Sequence, residues 1–295
     1  MADIAIPPRT VAEMLHGYSI EVNPSQPQVV DAAAGLLDPG TEVFLTWIPG
    51  TNPMDMVAPA AKLRRAGMFP VPHVGARHLE SAAQLEQFAA RLADEADVDR
   101  ILIIGGDRAK PAGPYDSSLA IMQTDVFQKV GITRVAIAGF PEGNPNISDA
   151  VLDQALAAKV NFARAAGLQL SIVTQFCFKA EPIVRWLEHI RRKGIDIRVR
   201  IGLAGPARLS TLVRYALRCG IGNSLHVLTE HPSFARLITE KGPEPIIRDI
   251  AASAGQGNAG RENKGSLPFG IAGLHFYVFG GFNKTVDWIN TQRTD

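Results

Sequence analysis

A glutamate stands inside the run Tyr18-Ser-Ile-Glu-Val22, between Ile20 and Val22. A carboxyl in mid-strand loses water, and desolvation raises its pKa, so Glu21 is a candidate general acid near neutral pH. The competing role is a structural ion pair, since such pairs also perturb pKa values. A second carboxylate follows Ile101-Leu-Ile-Ile-Gly-Gly106, four apolar β-formers and two glycines. The apolar run reads as a strand buried on both faces. Gly105 and Gly106 permit a sharp turn or the close approach of a flat ligand. Asp107 is then held at a sheet rim, where it can meet a ligand or only cap the turn. His73 could be a base, a metal ligand or a hydrogen-bonding wall. No second His or Cys stands at ligand spacing, so no metal is expected. Thr46 and Gln175 are neutral and suit orientation of a ligand, and Phe140 adds an aromatic. There is no G-x-S-x-G and no reactive-cysteine context. No strand-end lysine is placed for a Schiff base, which counts against an aldolase.

Each of these residues lies within or just after a stretch that reads as a strand. The stretches are 18–22, 43–47, 70–74, 101–106, 134–138, 168–176, 197–203 and 274–279. Between them, 28–37, 55–66, 81–96, 116–130, 148–166 and 181–193 read as helices, with more helical segments to about 254 and a closing helix over 284–292. Residues 1–17 read as an arm and a short helix, and 255–265 as a polar, glycine-rich loop. Ser148 is placed to cap one helix, and Gly67 and Gly194 to close two others. Eight βα repeats without a composition break predict a single-domain α/β protein over 1–295, a (β/α)₈ TIM barrel. An open doubly wound sheet is the main alternative, but no G-x-G-x-x-G follows the first strand. Barrel enzymes place their sites at the C-terminal strand ends, where Glu21, Thr46, His73, Asp107, Phe140 and Gln175 fall.

The 295 residues carry a formal net charge of +1, with 46% apolar and 20% charged residues. No basic stripe points to nucleic acid. No apolar run reaches the roughly 18–20 residues of a membrane span. The start of the chain lacks the pattern of a signal peptide. Cys177 and Cys219 show no CxxC or metal spacing, so free thiols in a reducing, cytoplasmic compartment are expected.

Several short pieces, in order, resemble the methylenetetrahydrofolate reductase family from about Tyr18 to Phe282. They are Ser19-Ile-Glu21-x-x-Pro24, Leu45-Thr46, Pro72-His73, Gly106-Asp107, Phe140-Pro-Glu-Gly-Asn-Pro145, Thr174-Gln175-Phe176 and Leu274-His-Phe-Tyr277. The resemblance implies hydride delivery from NAD(P)H, through FAD or directly, to methylenetetrahydrofolate, in one-carbon and methionine metabolism. It makes Glu21 the acid that helps open the imidazolidine ring, with Asp107 beside it as a catalytic residue that hydrogen-bonds the pterin. Gln175, Leu209 and Phe276 become folate contacts. Thr46, His73, Gly106, Phe140 and Arg164 become contacts of the flavin or nicotinamide. A homo-oligomer is expected on the same basis.

The chain also departs from the family. Gly105 stands where the family carries Arg, and Leu209 where it carries an aromatic. Lys159 and Arg164 lie outside the family's cationic positions on the helix before Gly167. A dinucleotide pyrophosphate needs positive donors, so weak FAD binding and direct hydride transfer are both open. So is a non-redox reading, a folate-binding or one-carbon-transfer partner on the same barrel.

Overall fold

The computed structural model describes residues 10–48, 50–219, 242–256 and 270–294. Residues 1–9 of the expected arm and short helix, nearly all of the 255–265 loop and the helical segments expected within 220–241 lie outside these residues. So does the side chain of Cys219. Eight strands form a closed barrel, each neighbouring the next in chain order. They are β1 (Ser19–Val22), β2 (Glu42–Leu45), β3 (Phe69–Gly75), β4 (Arg100–Ile104), β5 (Arg134–Gly139), β6 (Gln169–Thr174), β7 (Arg198–Ala204) and β8 (Ile271–Tyr277). The pairings of β1 with β2, β2 with β3, β3 with β4, β4 with β5 and β7 with β8 are all parallel. Helices separate the strands, so the chain is a (β/α)₈ barrel. No described helix is long and apolar enough to cross a membrane.

Contacts divide the chain into two compact units. The first holds Ser19–Ala138 and Asp153–Ile172, and the second holds the rest. In the first, α1 (Val11–Met14) having preceded it, the helices are α2 (Pro27–Leu36), α3 (Val57–Arg65), α4 (Ala82–Ala96), α5 (Ser118–Met122), α6 (Val126–Lys129) and most of α7 (Asp149–Ala165). Helix α4 shows why such segments fold as they do. Ser81 caps it by accepting from the Gln84 N–H, and Leu85, Phe88, Ala89, Leu92 and Ala96 form one buried stripe. Burying each Leu or Phe contributes roughly 1.5–3 kcal/mol. The single helix expected over 116–130 is broken into α5 and α6. Thr124 turns its hydroxyl onto the Ile121 carbonyl, and Asp125 takes a left-handed φ of 54°, so the helical ladder cannot run through.

At the N-terminal strand ends of this unit lies a charge network. Arg100 bonds Glu42 at 2.6 Å and grips both oxygens of Asp99, at 2.8 and 3.0 Å. Arg134 bonds Asp99 at 2.7 Å, and the Arg100 guanidinium lies 4.0 Å from the centre of the Phe69 ring.

The second unit carries α8 (Ala180–Arg192), α9 (Leu209–Cys219), α10 (Glu244–Gln256) and α11 (Phe282–Thr294). Helix α10 continues through Gly255 and Gln256, where a loop was expected. Strand β8 starts earlier than expected and ends at Tyr277, because Phe279 adopts a left-handed φ of 47°. Its pairing with β7 shifts register between Val199 and Arg200, opposite Gly273.

Candidate functional site

In the first unit, β1 to β3 bring three of the expected residues together. Ile20 and Val22 are fully buried, while Ser19 and Glu21 alternate with them along β1. Glu21 pairs with Phe44 across to β2, and Thr46 follows that strand directly. Thr46 Oγ1 donates a long hydrogen bond of 3.4 Å to Glu21 Oε2, and His73 Nε2 stands 3.7 Å from Oε1. The Phe44 ring meets His73 edge-on. The Glu21 side chain is only 14% exposed and that of His73 6%. Burial pushes the Glu21 carboxyl above its ordinary range; the His73 charge and the Thr46 hydroxyl pull it down without cancelling that effect. The strand end therefore holds a desolvated acid with an imidazole beside it, a pair suited to releasing a proton and then stabilising the carboxylate left behind.

Asp107 is also in this unit, but it is exposed. Its Oδ1 lies 2.8 Å from His78 Nε2, and 60% of its side chain is open to solvent. His78 belongs to a short 3₁₀ turn, Ala76–His78, directly after β3. The loop after β4 is stapled to the same turn. Arg77 donates from Nε to the Asp116 carbonyl and from Nη1 to those of Arg108 and Ala109. Gly106 has a φ of +92°, and a Cβ there would stand 2.8 Å from His78 Cδ2. The space beside this glycine's missing Cβ is thus filled by the protein's own imidazole. His78 and Trp47 also line a cavity of about 290 Å³ with Asn52, Gln84 and Arg108.

Arg164 is placed apart from the other residues expected at a cofactor. It is exposed in the last turn of α7, and the Gln169 N–H that follows bonds the Thr133 carbonyl ahead of β5. That places Arg164 beside the strand starts, at the end opposite Glu21 and Thr46. Lys159 lies midway along the same helix, and burial holds its pKa below the ordinary lysine value.

In the second unit, Gln175 follows β6. Its N–H bonds the Gly139 carbonyl, and its side-chain oxygen accepts from the Phe176 N–H. Phe140, half-buried, follows β5. Thr174 is fully buried: its hydroxyl accepts from the Gly202 N–H at 2.8 Å, and its carbonyl accepts from the Tyr277 hydroxyl at 3.0 Å. Phe276, expected to touch folate, is fully buried against Tyr18 and Trp288 of α11. Strand alternation turns it to the helix layer and gives the other face to Tyr277. Leu209 opens α9, 39% exposed. Aromatic side chains in this unit come instead from Phe176, Tyr277, Phe279 and Tyr215, with Phe279 4.9 Å from Phe176 and 4.6 Å from Tyr215. The Cys177 thiol is buried, and burial, then the charge and hydrogen bond of Glu142, push it well above its usual pKa. A thiol so held is no nucleophile at neutral pH. Among the described residues no three His, Cys, Asp or Glu side chains are grouped to hold a metal ion.

No protein-family model matches the chain. Among solved structures, the mannotriose complex of Thermomonospora fusca β-mannanase is similar over 70% of this chain and 76% of its own, at 16% identity and a TM-score of 0.37. A likeness that distant carries nothing beyond itself.

Proposed function

We propose that this protein reduces methylenetetrahydrofolate to methyltetrahydrofolate, taking hydride directly from NAD(P)H. The observation that carries the reading is Glu21, a desolvated acid at a barrel strand end, contacted by Thr46 and approached by His73. The reaction needs one proton and one hydride. Glu21 gives its proton to the amine nitrogen that leaves as the imidazolidine ring opens. The N5 methylene becomes an iminium cation, and the nicotinamide C4 hydride adds to that carbon. NAD(P)⁺ and the methyl product result, and a proton from solvent restores Glu21. Once ionised, the Glu21 carboxylate is stabilised by His73 and Thr46, the two groups that draw its pKa down. Asp107 offers a carboxylate to the adjacent N–H donors of a pterin, in charge-assisted hydrogen bonds. Gln175 is held by its own backbone contacts directly after β6, and its role as a folate contact stays with the family resemblance.

Arg164, the one arginine or lysine named for FAD, lies at the end of the strands opposite Thr46, so the named residues offer a pyrophosphate no arginine or lysine there. No step here is therefore routed through a flavin. The test is an anaerobic assay of the purified protein with methylenetetrahydrofolate and NADH or NADPH, with and without added FAD. Methyltetrahydrofolate formed without flavin supports the reading. Folate binding without turnover would favour a non-redox folate-binding or one-carbon-transfer partner instead.

A further inference from the structure

We infer that His78 is a positioning residue for Asp107, holding its carboxylate in the orientation that receives the pterin; this rests on the folate reading above. A carboxylate at a rim, 60% exposed, turns freely about two side-chain bonds unless something fixes it. Here His78 Nε2 meets Oδ1 at 2.8 Å. A carboxylate oxygen accepts, so Nε2 carries the proton.

The imidazole is itself held on several sides. Only 10% of its side chain is exposed. Trp47 packs against its ring at 5.9 Å, tilted by 32°, and is braced in turn by Phe88 of α4, which is fully buried. On other sides the ring fills the places where Gly75 and Gly106 have no Cβ; a methyl group there would stand 3.1 and 2.8 Å from His78 Cδ2. Two glycines from different strand ends thus form a slot for one imidazole, and the slot aims it at the carboxylate. A side chain present only to fill space would not need a ring N–H directed at the acid that meets the ligand. A chain of contacts runs from the buried Phe88 through Trp47 and His78 to Asp107, and it transmits the rigidity of the helix layer to the rim.

The test is a double-mutant cycle read by calorimetry with tetrahydrofolate as the probe. His78→Ala should weaken binding roughly tenfold in the wild-type background, about the value of one charge-assisted hydrogen bond. In Asp107→Ala it should change affinity less than about twofold, because its only route to the ligand is gone. His78→Gln, which keeps an N–H donor, should recover part of the loss and serves if the alanine variant misfolds. Equal losses in both backgrounds would overturn the inference and leave His78 as packing alone. A second measurement needs no ligand. Proton–nitrogen NMR of ¹⁵N-histidine protein should show a solvent-protected His78 Nε2 proton that disappears in Asp107→Ala. If wild-type protein binds no tetrahydrofolate, the folate reading falls. The NMR result then decides by itself whether His78 holds Asp107: a protected proton upholds the hold, and its absence overturns it.

Discussion

Gly106→Ala should destabilise the protein, whereas Gly105→Ala, one residue earlier, should not. At Gly106 an alanine must accept a φ of +92°, and its Cβ would stand 2.8 Å from His78 Cδ2 and 3.2 Å from Nε2. Left-handed backbone costs an alanine roughly 1–2 kcal/mol. Moving the imidazole gives up its hydrogen bond to Asp107, worth roughly 1.5–3 kcal/mol to a charged group and nearer the lower end for a carboxylate this exposed. The sum is on the order of 2–4 kcal/mol, which lowers Tm by about 3–6 °C in a chain of this size. At Gly105 no atom lies within 4 Å of an added Cβ and φ is not positive. Alanine there changes stability by less than about 1 kcal/mol and can stabilise by restricting the unfolded chain. Differential scanning calorimetry of both variants, with tetrahydrofolate titrated into each, measures the contrast. Equal Tm values would refute the idea that His78 occupies the Gly106 slot.

Glu21→Gln should cut turnover by roughly 10²–10⁴-fold with ligand binding near normal. Because burial raises the folded pKa, the active protonated form is lost as pH rises through it, so the alkaline fall in kcat/KM should vanish in the variant. The same raised pKa means that stability contributed by Glu21 is complete below its unfolded value, about 4.3, and is lost as pH rises through the folded value. Glu21→Gln should therefore gain Tm over wild type only on the alkaline side, and a uniform offset across pH would contradict this. Asp99 has the opposite sign. Burial works to raise its pKa, but the hydrogen bond and charge of Arg100, with the charges of Arg134 and Arg64, outweigh that and lower it. Its stabilising effect is present above the unfolded value, about 3.9, and is lost as pH falls through the folded one. Asp99→Asn should flatten the acid side of the Tm-against-pH curve, and an unchanged acid limb would remove Asp99 from that role.

The barrel was legible because its strands are short apolar runs such as Ile101–Ile104 and its helices are closed by glycines such as Gly67. The α5–α6 break was hidden, since neither Gly nor Pro marks it; a threonine hydroxyl and a left-handed aspartate make it. Glu21, Thr46 and His73 stood out because polar groups inside apolar strands need a reason, and the structure gathers them from three neighbouring strands. Phe276 and Tyr277 could not be separated in Leu274-His-Phe-Tyr277, where nearly every side chain suits either face. Tyr18 and Trp288, near in space to Phe276 and remote or separate in sequence, decide which way it turns. His78 escaped notice for the same reason: its partner Asp107 lies 29 residues away. The glycine that accommodates it reads in the sequence only as a turn or an opening for a ligand. Arg164 was carried over from the family resemblance although it lies outside the family's cationic positions, and no strand end placed it.

The most direct measurement follows a labelled hydride. The protein, free of added flavin, is incubated anaerobically with methylenetetrahydrofolate and nicotinamide dinucleotide deuterated on both C4 positions, and the methyl group of the product is examined by mass spectrometry. Direct transfer predicts one deuterium in each methyl group formed, and no product from Glu21→Gln on the same timescale. Methyl groups that carry solvent hydrogen, as a flavin that exchanges with water would give, or the absence of methyltetrahydrofolate with either nicotinamide, would contradict the account.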